Sequence, residues 1–552
     1  MVCRKFPILD CQWLGAGLGD YPWLAQDSPF CCALSEGGQR LFPVIAGLPP
    51  DTYDTGVMNP AILRIHSEDS VAVALAELSN GQQLGLPDVA PFSARDAVPS
   101  GHKIALHAHA SGDLVRKYGQ PIGLATQSIA AGDWVHSHNL ATRLAQDSRV
   151  NWQPQPAAGI AASNLVWHGY DRGDGAAAGT RNEIWILPTV GCVARTAQRI
   201  AAVASARHLG QVDGIYAFVH PFGCSQLGDD LAGTQAILAR LAANPNAAGV
   251  LFIGLGCESN QLAALLETMP AAVRKRVRSV IAQDMADETA AGLSAIDDLV
   301  AQAATQSRTP LPLSRLRVGL KCGGSDGFSG LTANPLLGRF TETLVASGGG
   351  AILTEIPEIF GAEQLLMQRA DSEALFLAGL QLVAEFKTYF RRHDQPVSEN
   401  PSPGNLKGGI TTLEEKSLGA IQKAGRAPIG GVARYGELAT AAGVTLLEAP
   451  GNDAVSSTAL VAAGANLLLF TTGRGTPLGF PAPTVKVSSN SDLARRKPGW
   501  IDFDSGAALH QPLAEIDAAF LHQVLAIASG QPTAAERAGE REIAIWKRGV
   551  TL

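Results

Sequence analysis

Four times in this chain a cysteine beside glycine follows an apolar run. The stretches are "VGCV" with Cys192, "HPFGCSQLGDD" with Cys224, "GLGCESNQ" with Cys257 and "GLKCGGSDG" with Cys322. If each apolar run is a strand of a parallel sheet, all four thiols stand at strand carboxyl ends, where open α/β sheets bind their ligands. One such cysteine is ordinarily a packed hydrophobe. Four at equivalent places leave packing and a shared site both open. The last begins "KCGGSDGFSGLTANPLLG", residues 321–338, which places Gly323, Gly324, Ser325 and Asp326 directly after Lys321 and Cys322. Glycine costs conformational entropy, so this density marks either a turn-rich connector or backbone that must approach something bound.

A second glycine-rich loop, "FTTGRGTPLG" at 470–479, carries Arg474, Gly475 and Thr476. Backbone N–H groups beside a guanidinium suit a carboxylate or phosphate. The Gly-Lys-Ser/Thr ending of a P-loop is missing, which makes a nucleotide enzyme a poor reading. Nearer the front, "WVHSHN" sets His136 and His138 two apart, on one face if the segment is a strand, with His66 in "IHSEDS" at the end of another. Two imidazoles on one face can take a metal. They can equally be solvated surface residues, and "HAHAS", with His107 and His109, repeats the spacing. In "APGNDAVSSTAL", Asn452 or Asp453 can simply cap a helix. In "SPGNLKGGITTLEEKSLG", pattern alone does not say whether Asn405, Lys407 and Lys416 belong to a site.

These residues need elements to hold them. Residues 58–140 read as a small β-rich module: "AILRIHS" and "HKIALHA" as strands, "SVAVALAEL" as a short helix, "SIAAGDWVHSHNL" as a turn and strand. Residues 141–165 read as a Pro- and Ala-containing linker. From Arg181, strands such as "EIWILPTV" and "AGVLFIGLG" alternate with helices such as "ARTAQRIAAVASARHL", the signature of an α/β layer on a parallel sheet. The pattern resumes after "LRVGLKCGGSDG" with "GAILTEI", "GVTLLEA", "NLLLFTT" and "PTVKVSS". The expected boundaries are therefore 58–140, a linker at 141–165, then α/β domains at 166–312 and 313–552. Residues 1–57 hold Cys3, Cys11, Cys31 and Cys32 without a clear period, and are expected to be a mis-assigned start upstream of Met58.

The length of 552 residues exceeds one hydrophobic core. A formal charge of −7 with no basic run argues against nucleic acid or anionic membrane as partner. No apolar run reaches the roughly 18–20 residues of a membrane span, and the N-terminus lacks a signal peptide, so a cytoplasmic location and reduced thiols are expected.

Several long motifs then occur in fixed order. "GTRNEIWILPTVGCV", "GCSQLGDD", "NPNAAGVLFIGLGCESNQ", "GLKCGGSDGFSGLTANPLLGRF", "FTTGRGTPLG" and "WIDFDSG" together resemble the altronate/galactarate dehydratase family. "HSEDSVAVAL", "GHKIAL", "KYGQPIG" and "WVHSHN" are similar to that family's N-terminal SAF domain, and "EIPEIFGAEQLLM", "EAPGNDAVSSTAL" and "REIAIWKRGVTL" to its altronate branch. The resemblance runs from about Ile62 to Leu552 and leaves residues 1–57 unmatched. It implies an SAF domain followed by two Rossmann-like α/β domains. It also implies dehydration of D-altronate to 2-dehydro-3-deoxy-D-gluconate, activated by Fe2+ with Mn2+ as substitute.

On this resemblance His66, His220 and Lys321 are candidates for acid/base work. His136, His138, Cys224, Cys257 and Cys322 are candidates for the metal, although thiolates favour clusters or zinc over a labile iron(II). Gly323, Gly324, Ser325, Asp326, Arg474, Gly475 and Thr476 are candidates for the substrate. The expected partner is a small sugar acid, with neither nucleic acid nor membrane, and the chain is compatible with a homo-oligomer. The rivals are the same elimination on galactarate, a sulfolactate lyase, and a non-catalytic sugar-acid sensor.

Overall fold

A computed structural model describes residues 61–143, 151–155, 159–173 and 178–552. The proposed extension at 1–57, with its four cysteines, and the middle of the proposed linker lie outside the described residues.

The front module is built from short antiparallel strands. Ile62–Leu63, Val71–Ala74, Lys103–Ala105 and Trp134–Val135 form one four-stranded sheet; Leu114–Lys117, Gln120–Ala125 and Leu140–Ala141 form a three-stranded one. The segment read as a helix, "SVAVALAEL", is instead the central strand Val71–Ala74, buried at all four positions. Its apolar run is continuous, without the polar stripe of a surface helix, and its valines suit a strand paired on both sides.

Antiparallel strands Val166–Gly169 and Thr309–Pro312 lead into and out of the second domain. Its four parallel strands run in the order Gly214–Ala217, Glu183–Pro188, Ala247–Gly254, Val277–Ile281. Glu183–Pro188 and Ala247–Gly254 are buried along their whole length, as strands covered on both faces must be. Helices Ala194–Arg207 and Glu288–Ala303 cover one face around Ile200 and Ile296, and Gly228–Ala243 covers the other.

The third domain carries a seven-stranded parallel sheet in the order Ile429–Ala433, Gly443–Leu447, Gly350–Leu353, Arg317–Cys322, Leu467–Thr472, Thr484–Ser488, Phe503–Asp504. The chain leaves Arg317–Cys322 toward Gly350–Leu353 on one side and later returns at Leu467–Thr472 on the other. The gap between those strand ends is the topological switch point, where such sheets open a crevice. No helix among the described residues is long and apolar enough to cross a membrane.

Candidate active site

At the switch point of the seven-stranded sheet, side chains from five segments meet in a buried polar nest. Strand Arg317–Cys322 ends in Lys321 and Cys322. The Lys321 ammonium is fully buried, in contact with Glu355 and 2.6 Å from Asp453. The Cys322 thiol donates to Glu358 at 2.8 Å and accepts from the Lys423 ammonium at 2.8 Å. Lys416, on helix Leu413–Ala420, pairs with Glu358 at 2.9 Å and donates to Ser325 Oγ at 3.0 Å. Glu355 follows strand Gly350–Leu353 with φ 68°, a left-handed backbone that is uncommon outside glycine and is tolerated where the surroundings demand it.

Three ammonium groups thus face three carboxylates and one thiol. The two glutamates are driven apart. Burial and the charge of Glu358 push the Glu355 carboxyl up in spite of Lys321 and Lys423. Against its own burial, Glu358 is held down to about 2 by Lys416, Lys423 and Lys321. The Cys322 thiol is pushed up to about 12 by burial and by both glutamates, so it stays protonated near neutrality. Burial lowers the Lys321 pKa, but Glu355 and Asp453 together raise it above the ordinary lysine value. Lys321 is therefore an ammonium donor, and a role as free base is not available to it near neutral pH.

The glycine-rich loops border this nest. A Cβ on Gly323 would lie 2.7 Å from Asp453 Oδ2 and 2.7 Å from Phe470, so only glycine leaves the Lys321–Asp453 pair intact. Gly324 has φ +63° and is exposed, and the Arg474 side chain lies beside it. Asp326 points elsewhere: Oδ1 accepts from Ser329 and Ser489, and Oδ2 from Asn490, so its oxygens stitch the two loops together. Gly475 N–H donates to Thr472 Oγ1 and the Thr476 carbonyl accepts from Lys486, so both shape the second loop from within.

The other candidates fall elsewhere. His66 opens a surface turn, its Nδ1 accepting from Glu68 N–H. His136 and His138 do not share a strand face, because the strand ends at Val135. His136 Nε2 donates to the Leu406 carbonyl at 3.0 Å, which takes that nitrogen from any metal, and His138 lies against Trp134. His220 belongs to the second domain: Nε2 donates to the Pro188 carbonyl and Nδ1 accepts from Phe222 N–H, with burial depressing its pKa to about 4. Cys224 and Cys257 are exposed on that domain, away from the close grouping that includes Cys322.

The histidines of the front module instead fasten the segment that carries Asn405. His136 and His102 bind the carbonyls of Leu406 and Lys407, Lys103 binds that of Gly409 at 2.7 Å, and Asn405 Nδ2 donates to the Ser325 carbonyl at 2.8 Å. Sequence reasoning missed Glu355, Glu358 and Lys423. The glutamates lay in plain view in "EIPEIFG", but their spacing is not a metal or acid/base pattern that can be recognised without the fold.

Cys322, Glu355 and Glu358 bring ligand atoms all within 4.8 Å of one another, a grouping consistent with a metal. As arranged here, however, the cation's place is taken. Lys423 sits on the sulfur and Lys321 and Lys416 on the carboxylates, so a dication would have to expel ammonium groups and the thiol proton.

Three family models match in order along the chain. "Altronate/galactarate dehydratase SAF domain" covers residues 60–143, "D-galactarate dehydratase/Altronate hydrolase, second domain" residues 169–304, and "D-galactarate/Altronate dehydratase, C-terminal" residues 313–551. The chain is 46% identical to altronate dehydratase of Bacillus subtilis (strain 168) over 497 residues, 89% of this chain and 100% of that one. It is 48% identical to altronate dehydratase of Escherichia coli (strain K12) over 495 residues, covering 89% and 99%. Galactarate dehydratase (L-threo-forming) of the same strain is 31% identical over 500 residues, covering 85% and 93%. With the fold, the order of the domains and these relatives in agreement, the chain belongs to the altronate/galactarate dehydratase family of hydro-lyases.

Proposed function

We propose that this protein dehydrates D-altronate to 2-dehydro-3-deoxy-D-gluconate in the switch-point nest. The observation that supports the chemistry is the pair Glu355 and Glu358, held on either side of Cys322 with their proton affinities pushed in opposite directions. Two like groups separated in this way divide acid from base. Glu358, ionised and the more exposed of the two glutamates, takes the proton beside the substrate carboxylate. The electron pair moves onto that carboxylate as an enediolate, whose charge falls among Lys321, Lys416 and Lys423 at no reorganisation cost. The Lys321–Glu355 pair supplies a proton to the departing 3-hydroxyl, which leaves as water. The resulting enol relaxes to the 2-keto acid. Arg474 and the N–H groups around Gly324 receive the far end of the sugar acid.

Iron(II), with manganese(II) as substitute, is the metal the family resemblance implies; Cys322, Glu355 and Glu358 would hold it only with Lys423 and the thiol proton displaced, and it would supply polarisation of substrate oxygen. The enzyme acts in the cytoplasm on a free sugar acid.

The test is anaerobic turnover of D-altronate and of galactarate, each with and without iron(II). Keto acid from altronate, falling roughly 10²–10⁴-fold in kcat in Glu358→Gln, is the expected result. Turnover of galactarate alone would overturn the substrate. An unchanged kcat in Glu358→Gln would overturn the base.

A further inference from the structure

The four-stranded sheet has its own switch point, and three thiols surround it. The chain leaves the central strand Glu183–Pro188 to one neighbour, Gly214–Ala217, and then crosses to the other, Ala247–Gly254. Cys192, Cys224 and Cys257 each follow one of these three adjacent strands, so parallel pairing puts them at one end of the sheet. All three are free and exposed, whereas Cys322 is buried.

The three loops are joined to one another. Gly191 N–H donates to the Phe222 carbonyl at 2.9 Å, Asn260 N–H to the Gly223 carbonyl at 3.0 Å, and Asn260 Nδ2 to the Thr189 carbonyl at 2.9 Å. Thr189 Oγ1 donates to Glu258 at 2.6 Å, and that carboxylate also takes the N–H groups of Leu255 and Gly256. Gly223 and Gly256 have φ of 102° and 128°, and Ser225, which is not glycine, has φ 55°. The Cys224 loop is further pinned where Leu552 N–H donates to the Ser225 carbonyl at 2.9 Å. The backbone carrying the thiols is thus fixed while the cysteines themselves remain exposed.

Thiolates select zinc, copper(I) or iron–sulfur clusters. One tetrahedral ion with sulfur at about 2.3 Å needs its ligands roughly 4 Å apart. These three sulfurs do not all lie within 4.8 Å of one another, since the close ligand grouping among the described residues is Cys322–Glu355–Glu358. A cuboidal iron–sulfur cluster holds its thiolates farther apart than a single ion does, and three ligands leave one of its irons open to the crevice. The Gln283 amide, donating to Cys257 Sγ at 3.7 Å, is the kind of N–H contact that tunes such a cluster.

We propose that Cys192, Cys224 and Cys257 ligate a cuboidal iron–sulfur cluster at the switch point of the second domain, separate from the lysine-filled nest of the third. On assembly the three thiols release their protons to solvent, and sulfide with equal numbers of iron(II) and iron(III) ions is supplied from outside the chain, so the mixed-valence core forms with no further oxidant.

The experiment is anaerobic reconstitution of the full chain with equal amounts of iron(II) and iron(III) and with sulfide, followed by desalting. Protein-bound iron, acid-labile sulfide, visible charge-transfer absorption and the spin-resonance signal after dithionite reduction are then measured. The parent and Cys322→Ser should carry iron and sulfide in near-equal amounts. The triple variant Cys192→Ser, Cys224→Ser, Cys257→Ser should lose both, with circular dichroism unchanged. Each single variant should also lose signal, which guards against a triple variant that does not fold. Iron without sulfide, zinc in preference to iron, no bound metal, or a cluster that survives the triple substitution would each overturn the proposal. None of these readouts depends on altronate turnover.

Discussion

Glu415 offers the sharpest test of how the SAF module is held on the third domain. Its carboxylate accepts from Lys103 and Lys117 of the module, each at 2.8 Å, and from Thr411 N–H at 2.9 Å, with all three charged side chains at most 1% exposed. Burial resists the charge, yet Lys103 and Lys117 hold the Glu415 carboxyl down to about 2. Lys103 is pulled down to about 8, because burial and the second ammonium outweigh its share of one carboxylate. Glu415→Gln would leave two desolvated ammonium groups facing a neutral amide. Removing one partner of a buried pair costs about 3–5 kcal/mol. With an m-value of about 1–2 kcal/mol per M for so small a module, its urea midpoint should fall by roughly 1.5–5 M. Hydrogen exchange read peptide by peptide is the assay, since it separates opening of residues 61–143 from that of the α/β domains.

A companion variant, Lys103→Met, Glu415→Leu, Lys117→Met, removes charge and desolvation together and should recover to within about 1 kcal/mol of the parent. The pH dependence has a definite sign. A depressed carboxyl stabilises fully above its ordinary value of 4.5, and the contribution is lost as pH falls toward 2. If Glu415→Gln exchanges like the parent, or if the apolar triple is worse than the single, the ion triad is not what holds the module. Lys416, the next residue on the same helix, lies in the nest, so a loosened module should also lower kcat.

Other outcomes follow from single contacts. Gly323→Ala places a methyl 2.7 Å from Asp453 and 2.7 Å from the buried Phe470 ring and should lower kcat by up to about 10²-fold and stability by about 1–3 kcal/mol, losses that steady-state kinetics and calorimetry read separately. His220 is neutral in the folded chain, its pKa depressed from 6.5 to about 4 chiefly by burial. The unfolded chain therefore takes up the proton first as pH falls, and about 3 kcal/mol of stability is lost between pH 6.5 and 4. Melting temperatures across that window should show the loss, and His220→Gln should flatten it.

Much of this molecule is legible along the chain. Alternating apolar runs and amphipathic helices announce parallel sheets, because strands buried on both faces must be continuously apolar. The four glycine-flanked cysteines mark strand ends, and the structure puts each of them there. Composition and periodicity do not say which strand lies beside which, and that order decides everything about the sites. Cys322 parts from the other three thiols only because its strand belongs to a different sheet. The strand order 18 residues of "KCGGSDGFSGLTANPLLG" cannot reveal brings Leu467–Thr472 alongside Arg317–Cys322. Pattern alone leaves Lys416 undecided between site and solvent and gives no signal at Lys423, until the helix and turn that carry them pack against Glu355 and Glu358. Val71–Ala74 reads as helix because a short apolar run has no period of its own, and only its two partner strands make it a strand. The sequence by itself determined the layers, the loops and the chemistry on hand. Tertiary structure decided which charges face each other, because proton affinity depends on neighbours and burial that are distant in sequence.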